Sequence, residues 1–308
     1  MERLPRVDRR SHPPAGSHGT GRAWRCAAVL LMITALAVTA GAGDRGETEV
    51  VVRDTLGSVN WTRGYIEVQA EKTPAPNIEI AQTAALATAA AREKLAAAAY
   101  RLPLDTFRRV RDLDGKDHGL LAAIRRLVAG LPVYKQRYLS DGTVRIRLRM
   151  ALTGDFAELV LPSGIRHIES IRTVKATRGR KIETLGTDTS APVTGLVIDA
   201  RGTGLQPALV PGILDEDGRQ LYGEKYVSRE SVVRWGMCRY FLGLTAARRS
   251  PRVAGHPLVI RGLRAAGPGK TSVVINSSDA EKIRSASEVI ALLRNCRVVI
   301  VLGGTPDA

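Results

Sequence analysis

Arg145, Arg147 and Arg149 alternate with Val144, Ile146, Leu148 and Met150. Side chains spaced by two share one face of a strand, so the pattern predicts a row of guanidinium groups on one side and an apolar row on the other. Arg137, on the preceding segment, extends the row. A planar guanidinium fork can hold phosphate or carboxylate in bidentate fashion, so Arg137, Arg145, Arg147 and Arg149 form a candidate anion-binding face. The same row is also what a wet sheet face carries to deter stacking by a second sheet. The other groups able to do chemistry are dispersed. His118, His167 and His256 are far apart, and His12 and His18 lie near the N-terminus, so no histidine spacing fits a metal site. No Cys-x-x-Cys and no Gly-x-Ser-x-Gly elbow occurs. Asp215, Glu216 and Asp217 lack calcium-loop spacing and read as a solvated hairpin tip. Gly267-Pro268-Gly269-Lys270-Thr271 has the end of a phosphate loop without its first glycine, since Arg264 stands there, and it reads as a tight turn. Gly202-Thr203-Gly204 reads the same way, with Pro207 in place of the third glycine of a dinucleotide loop. No catalytic residue, metal or cofactor is expected, and the chain reads as non-enzymatic.

Composition bounds the rest. The chain has 308 residues, 44% hydrophobic and 25% charged, a globular balance. Aromatics are 4%, too few for a stacking platform on single strands, and no nucleic acid partner is expected. Ala27–Val38 is an apolar run preceded by Arg22 and Arg25 and followed by Ala40-Gly41-Ala42. Basic, apolar, then small residues is the layout of a secretory signal, with cleavage expected between Ala42 and Gly43. Residues 1–42 therefore read as leader and signal peptide, and the mature chain is expected in the periplasm or otherwise exported to the envelope, without a membrane span. The leader holds six arginines against Glu2 and Asp8, a net of +4 out of +16, which leaves +12 on the mature chain. Such a field attracts acidic lipid or glycan. Cys26 precedes the apolar run, so no lipid-modified cysteine is expected after it. Cys238 and Cys296 remain, either paired as a disulfide in an oxidising compartment or buried as two free thiols.

These residues need elements to position them. Val59–Glu71 reads as a strand and Ile78–Tyr100, rich in alanine, as a long helix capped by Asn77. Leu104–Gly119 is charged and reads as loose, and Leu120–Ala129 as a second helix. Leu131–Leu139 and Thr143–Leu152 flank Asp141-Gly142 as a hairpin. Residues 43–161 thus make a first α+β module, a long helix on a small mostly antiparallel sheet. Residues 162–192, rich in Thr, Ser, Gly and Arg, read as a linker with one strand at Ile168–Ala176. Residues 193–308 read as a second, mixed α/β module, with strands at Leu196–Ile198, His256–Leu263, Thr271–Asn276 and Arg297–Leu302. A hairpin is expected over Leu209–Tyr222, and helices at Ser228–Met237 and Ser278–Arg294.

Gly57-Ser58-Val59-Asn60-Trp61-Thr62-Arg63-Gly64-Tyr65-Ile66, the helix residues Ala84-Ala85 and Ala89-Ala90-Ala91-Arg92, and Asp141–Ile146 followed by Leu-Thr-Gly carry a resemblance. Over residues 57–155 the chain resembles a small envelope lipoprotein family that shares its module with the N-terminal part of flagellar assembly protein T. The resemblance implies a strand, a long helix packed on the sheet and further strands. It also implies a non-enzymatic structural or interaction component of a surface or flagellar-type assembly, with envelope proteins or other copies of itself as partners. The alternative reading is a periplasmic protein that binds acidic lipid or glycan through the arginine row.

Overall fold

The computed structural model describes residues 49–115, 119–162, 165 and 191–303. Ala40, Ala42 and Gly43 and the strand expected at Ile168–Ala176 lie outside them. The fold is α+β, with one sheet in each half of the chain.

The first sheet is antiparallel, in the order β1 (Val51–Arg53), β2 (Ser58–Asn60), β3 (Tyr65–Lys72), β5 (Val144–Ala151), β4 (Lys135–Tyr138). The single strand expected over Val59–Glu71 is two. The Gly64 N–H donates to the Asn60 carbonyl at 2.7 Å and Gly64 takes φ +76°, closing a tight turn between β2 and β3. β1 pairs with β2. β5 follows its alternation: Val144, Ile146, Leu148 and Met150 are buried and the arginines face out.

The long helix, α1 (Ile80–Tyr100), lies across β3 and β5. Its buried line is Thr83, Ala87, Ala91, Leu95 and Ala99, four residues apart, so small side chains face the sheet and the backbone can sit close. Asn77 does not cap it: Asn77 is in a turn at φ +67° and the helix starts after Glu79. α2 (Gly119–Ala129) buries Ile124 and Val128. The charged stretch before α2 is not loose. Leu104 and Val110 are fully buried and a 3-10 turn runs over Val110–Leu113, so two apolar anchors outweigh the charges around them. α3 (Asp155–Val160) buries Phe156.

The second sheet is mixed, in the order β8 (Gln220–Tyr222), β7 (Gly212–Leu214), β11 (Ser272–Ile275), β10 (Leu258–Ala266), β6 (Leu196–Asp199), β12 (Val298–Val301), β9 (Arg239–Phe241). β6 is parallel to both β10 and β12, and all four residues of β12 are buried, as a central strand covered on both faces requires. α4 (Arg229–Trp235) is capped by the Ser228 side chain. α5 (Leu244–Arg248) covers one face of the sheet through a small cluster of Val197, Ala247, Val253, Val299 and Val301. The single helix expected over Ser278–Arg294 is two, α6 (Ser277–Ser285) and α7 (Ser287–Arg294), split at Ala286 and capped by Asn276 rather than Ser278.

The two modules share one core. Trp61 of the first meets Tyr240 of the second edge to face, with ring centroids 5.8 Å apart. The Thr62 hydroxyl donates to the Tyr240 carbonyl at 2.6 Å, and the Val210 N–H donates to the Leu104 carbonyl at 2.7 Å. A single buried cluster runs from Ile66 and Leu95 to Ile198 and Ile300.

Candidate functional site

The arginine row exists, and it is answered across the strand pair. β3 opposes β5 in a register that sets Glu67 against Arg149, Gln69 against Arg147 and Glu71 against Arg145. The Arg145 Nε donates to Glu71 at 2.8 Å and the Arg147 Nε to the Gln69 amide oxygen at 2.9 Å. Arg149 donates twice to one Glu67 oxygen, at 3.1 and 2.7 Å. Its guanidinium carbon also lies 4.0 Å from the Tyr65 ring centroid and 3.8 Å from that of Tyr134. Burial alone would lower the Arg149 pKa, but the Glu67 carboxylate turns the net shift upward. Arg137 is set opposite Arg145 on β4 and is exposed. The four residues therefore share a face as expected, and much of their charge is matched within the sheet. The sequence reading missed that matching. Its signal was the Glu67, Gln69, Glu71 alternation in β3, the complement of Arg145, Arg147, Arg149.

β4 is one edge of this sheet and all four of its residues are exposed. Tyr138 at its end is 59% exposed, with Lys135 and Arg137 as its charges. An edge strand offers unpaired backbone groups to a further strand.

Cys238 and Cys296 are both buried free thiols, the second of the two readings. Each sits beside a different tyrosine, Cys238 beside Tyr240 and Cys296 beside Tyr222. Those tyrosine hydroxyls are committed to backbone, Tyr222 donating to the Met237 carbonyl at 2.6 Å and Tyr240 to the Ala208 carbonyl at 2.9 Å. Burial pushes the Cys238 thiol up to about 12 and the Cys296 thiol up to about 11, and raises both phenols well above 10.0. A thiol held protonated in this way is a poor nucleophile.

The Asp215 carboxylate is not solvated, contrary to the hairpin-tip reading. It is 1% exposed, pairs with Arg284 of α6 at 2.5 Å and accepts the Arg219 N–H at 2.7 Å. Burial pushes its pKa up, but the Arg284 ion pair and the Arg219 N–H outweigh it, so the carboxyl is held below its ordinary value. The carboxylate is thus a staple between the β7–β8 turn and α6. The Gly267–Lys270 loop is the turn its sequence predicts, with Gly267 at φ +77°, and it leads into strand β11. Gly202 and Gly204 are likewise turn glycines at φ +76° and +74°. No group of three or more His, Cys, Asp or Glu side chains among the described residues could hold a metal ion. No helix among them is long and apolar enough to cross a membrane.

The molecule is thus a two-module α+β protein with a paired polar face and an open sheet edge on its first module. The family described as the second domain of Treponema pallidum Tp0624 matches residues 195–304, the span from β6 through β12. The chain is similar to that domain over its second module. No curated protein matches the chain.

Proposed function

We propose that this is an exported, non-enzymatic component of the cell envelope that works by binding other envelope proteins through the edge of its first sheet. The observation that carries the reading is β4, an exposed edge strand with basic residues at Lys135 and Arg137. Its occupant is an extended acidic segment of an envelope protein, added as a sixth strand. A second copy of the same edge would set like charges opposite each other, which disfavours self-association there. Export is supported by the Arg22, Arg25, Ala27–Val38 and Ala40-Gly41-Ala42 layout. The role in an assembly is supported by the resemblance of residues 57–155 to the envelope lipoprotein and flagellar assembly module, whose strand, long helix and hairpin are of the kind found in β2 to β5. Polyanion binding by Arg137, Arg145, Arg147 and Arg149 is the weaker reading, because Glu67, Gln69 and Glu71 already engage three of the four.

A photocrosslinking residue at Tyr138 tests this in cells. Arg219, 70% exposed on the β7–β8 turn, is the control position. Adducts to envelope proteins from position 138 and not from 219 are expected. Equal labelling from both, or none from 138, contradicts the edge as the binding surface.

A further inference from the structure

A cleft of about 390 Å³ opens beside the arginine face, lined by Arg63, Tyr65, Pro132, Tyr134, Arg149 and Arg239. That is within the range of small-molecule sites, about 300–1,000 Å³. It draws its wall from both modules: Arg239 starts β9 of the second sheet, and the rest come from the first. Two of the three arginines have carboxylates of their own. Arg63 pairs with Glu49 at 2.6 Å and Arg149 with Glu67 at 2.7 Å. Arg239 has none among the described residues, and the charged neighbour it feels is another cation, Arg252. Arg252 donates to the carbonyls of Trp235, Gly236, Met237 and Cys296, and so brings no negative charge either.

The chain makes deliberate room for this guanidinium. A side-chain carbon on Gly64 would fall 2.7 Å from the Arg239 Cζ and Nη1, and one on Gly236 would fall 3.1 Å from the Nη1. Both glycines have positive φ, +76° and +73°, so the guanidinium is seated against two left-handed glycines, with no carboxylate paired to it among the described residues. Burial first, and Arg252 second, pull the Arg239 pKa down to about 10, so it stays charged at neutral pH in a place that disfavours charge. An unpaired, partly desolvated cation at the wall of a cleft is a mark of a ligand site rather than of a fold-stabilising pair.

We infer that this cleft binds a small molecule through an oxyanion group, phosphate or carboxylate, held by Arg239, with the body of the ligand lying on Pro132 and Tyr134. The oxyanion supplies the negative charge that Arg239 lacks, and the fork of its guanidinium matches either group. The site shares Arg149 with the paired arginine row, but it rests on Arg239 and not on the sheet edge.

Titration of the full protein with inorganic phosphate, phenyl phosphate and acetate, followed by calorimetry, tests it. Saturable binding that weakens with added salt is expected, tightest for the probe whose oxyanion and body the site fits. Arg239→Gln should weaken it about tenfold or more, the loss of a charge-assisted hydrogen-bond pair. Arg239→Lys should recover part of it. A second measurement needs no variant. Phenylglyoxal should modify Arg239 in the free protein, and the best-bound probe should slow that modification while leaving Arg219 unchanged. No saturable binding of any probe, equal binding by Arg239→Gln, or modification of Arg239 at the same rate with and without ligand overturns the inference.

Discussion

Cys238 and Cys296 illustrate how strongly single positions depend on burial here. Both thiols are raised above their ordinary 9.0 in the folded chain, to about 12 and about 11. A group that the fold keeps protonated stabilises the fold at pH values below its unfolded pKa. That stability is lost as the pH rises, because the unfolded thiol ionises first. Thermal stability should therefore fall from pH 9.0 upward, and from about 10.0 the buried phenols of Tyr222 and Tyr240 add their own loss to it. Melting curves across that range check this. A Cys238→Ala, Cys296→Ala double variant should show a shallower fall in the first part of it. A thiol reagent should leave both cysteines untouched in the native protein and label both after denaturation. Gly64 is the second such position. Gly64→Ala must adopt φ +76° and displace the Arg239 guanidinium, and should cost about 1–2 kcal/mol from the backbone alone, read by denaturant titration.

The elements are held by size as much as by hydrophobicity. α1 lies on β3 and β5 with Ala87 and Ala91 fully buried, where an interior packed at ordinary protein density has little room for larger side chains. Ala91→Leu should destabilise the protein by about 1–3 kcal/mol, although leucine is an equally good helix former. If the variant is as stable as the parent, the helix does not sit close to the sheet. The same elements show what the sequence made legible. The Ala-rich helix, the Asp141-Gly142 hairpin and the buried RVVIVL strand were readable because one period dominates each. The break of Ser278–Arg294 at Ala286 was not, since Ile283, Ala286, Ile290 and Leu293 keep helical spacing across it. The turn inside Val59–Glu71 depended on one glycine, Gly64, in a stretch otherwise rich in strand formers. Leu104 was hidden among charges because a partner, Val210, lies in a distant segment. The candidate face was half legible: the arginines stood out by alternation, while the carboxylates that answer them sit more than seventy residues earlier in the chain. Arg239 had no pattern at all, and only the packing of Gly64 and Gly236 against it singles it out.

For the whole molecule, the continuous core and the Trp61–Tyr240 contact imply that the two modules unfold together. Circular dichroism and tryptophan fluorescence should give one coincident transition, and two separated transitions would mean that the shared core contributes little. Residues 43–308 carry a net charge of +12, a positive field, while the paired rows of β3 and β5 limit how much of that charge one face can offer. We propose that the protein leaves the cytoplasm and works by association in the envelope. Fractionation of cells producing a C-terminally tagged copy, crosslinked before lysis, tests it most directly. A shortened protein, cut near Ala42, is expected in the envelope fraction, crosslinked into a larger complex. A full-length protein, uncrosslinked and in the cytoplasmic fraction, would contradict it.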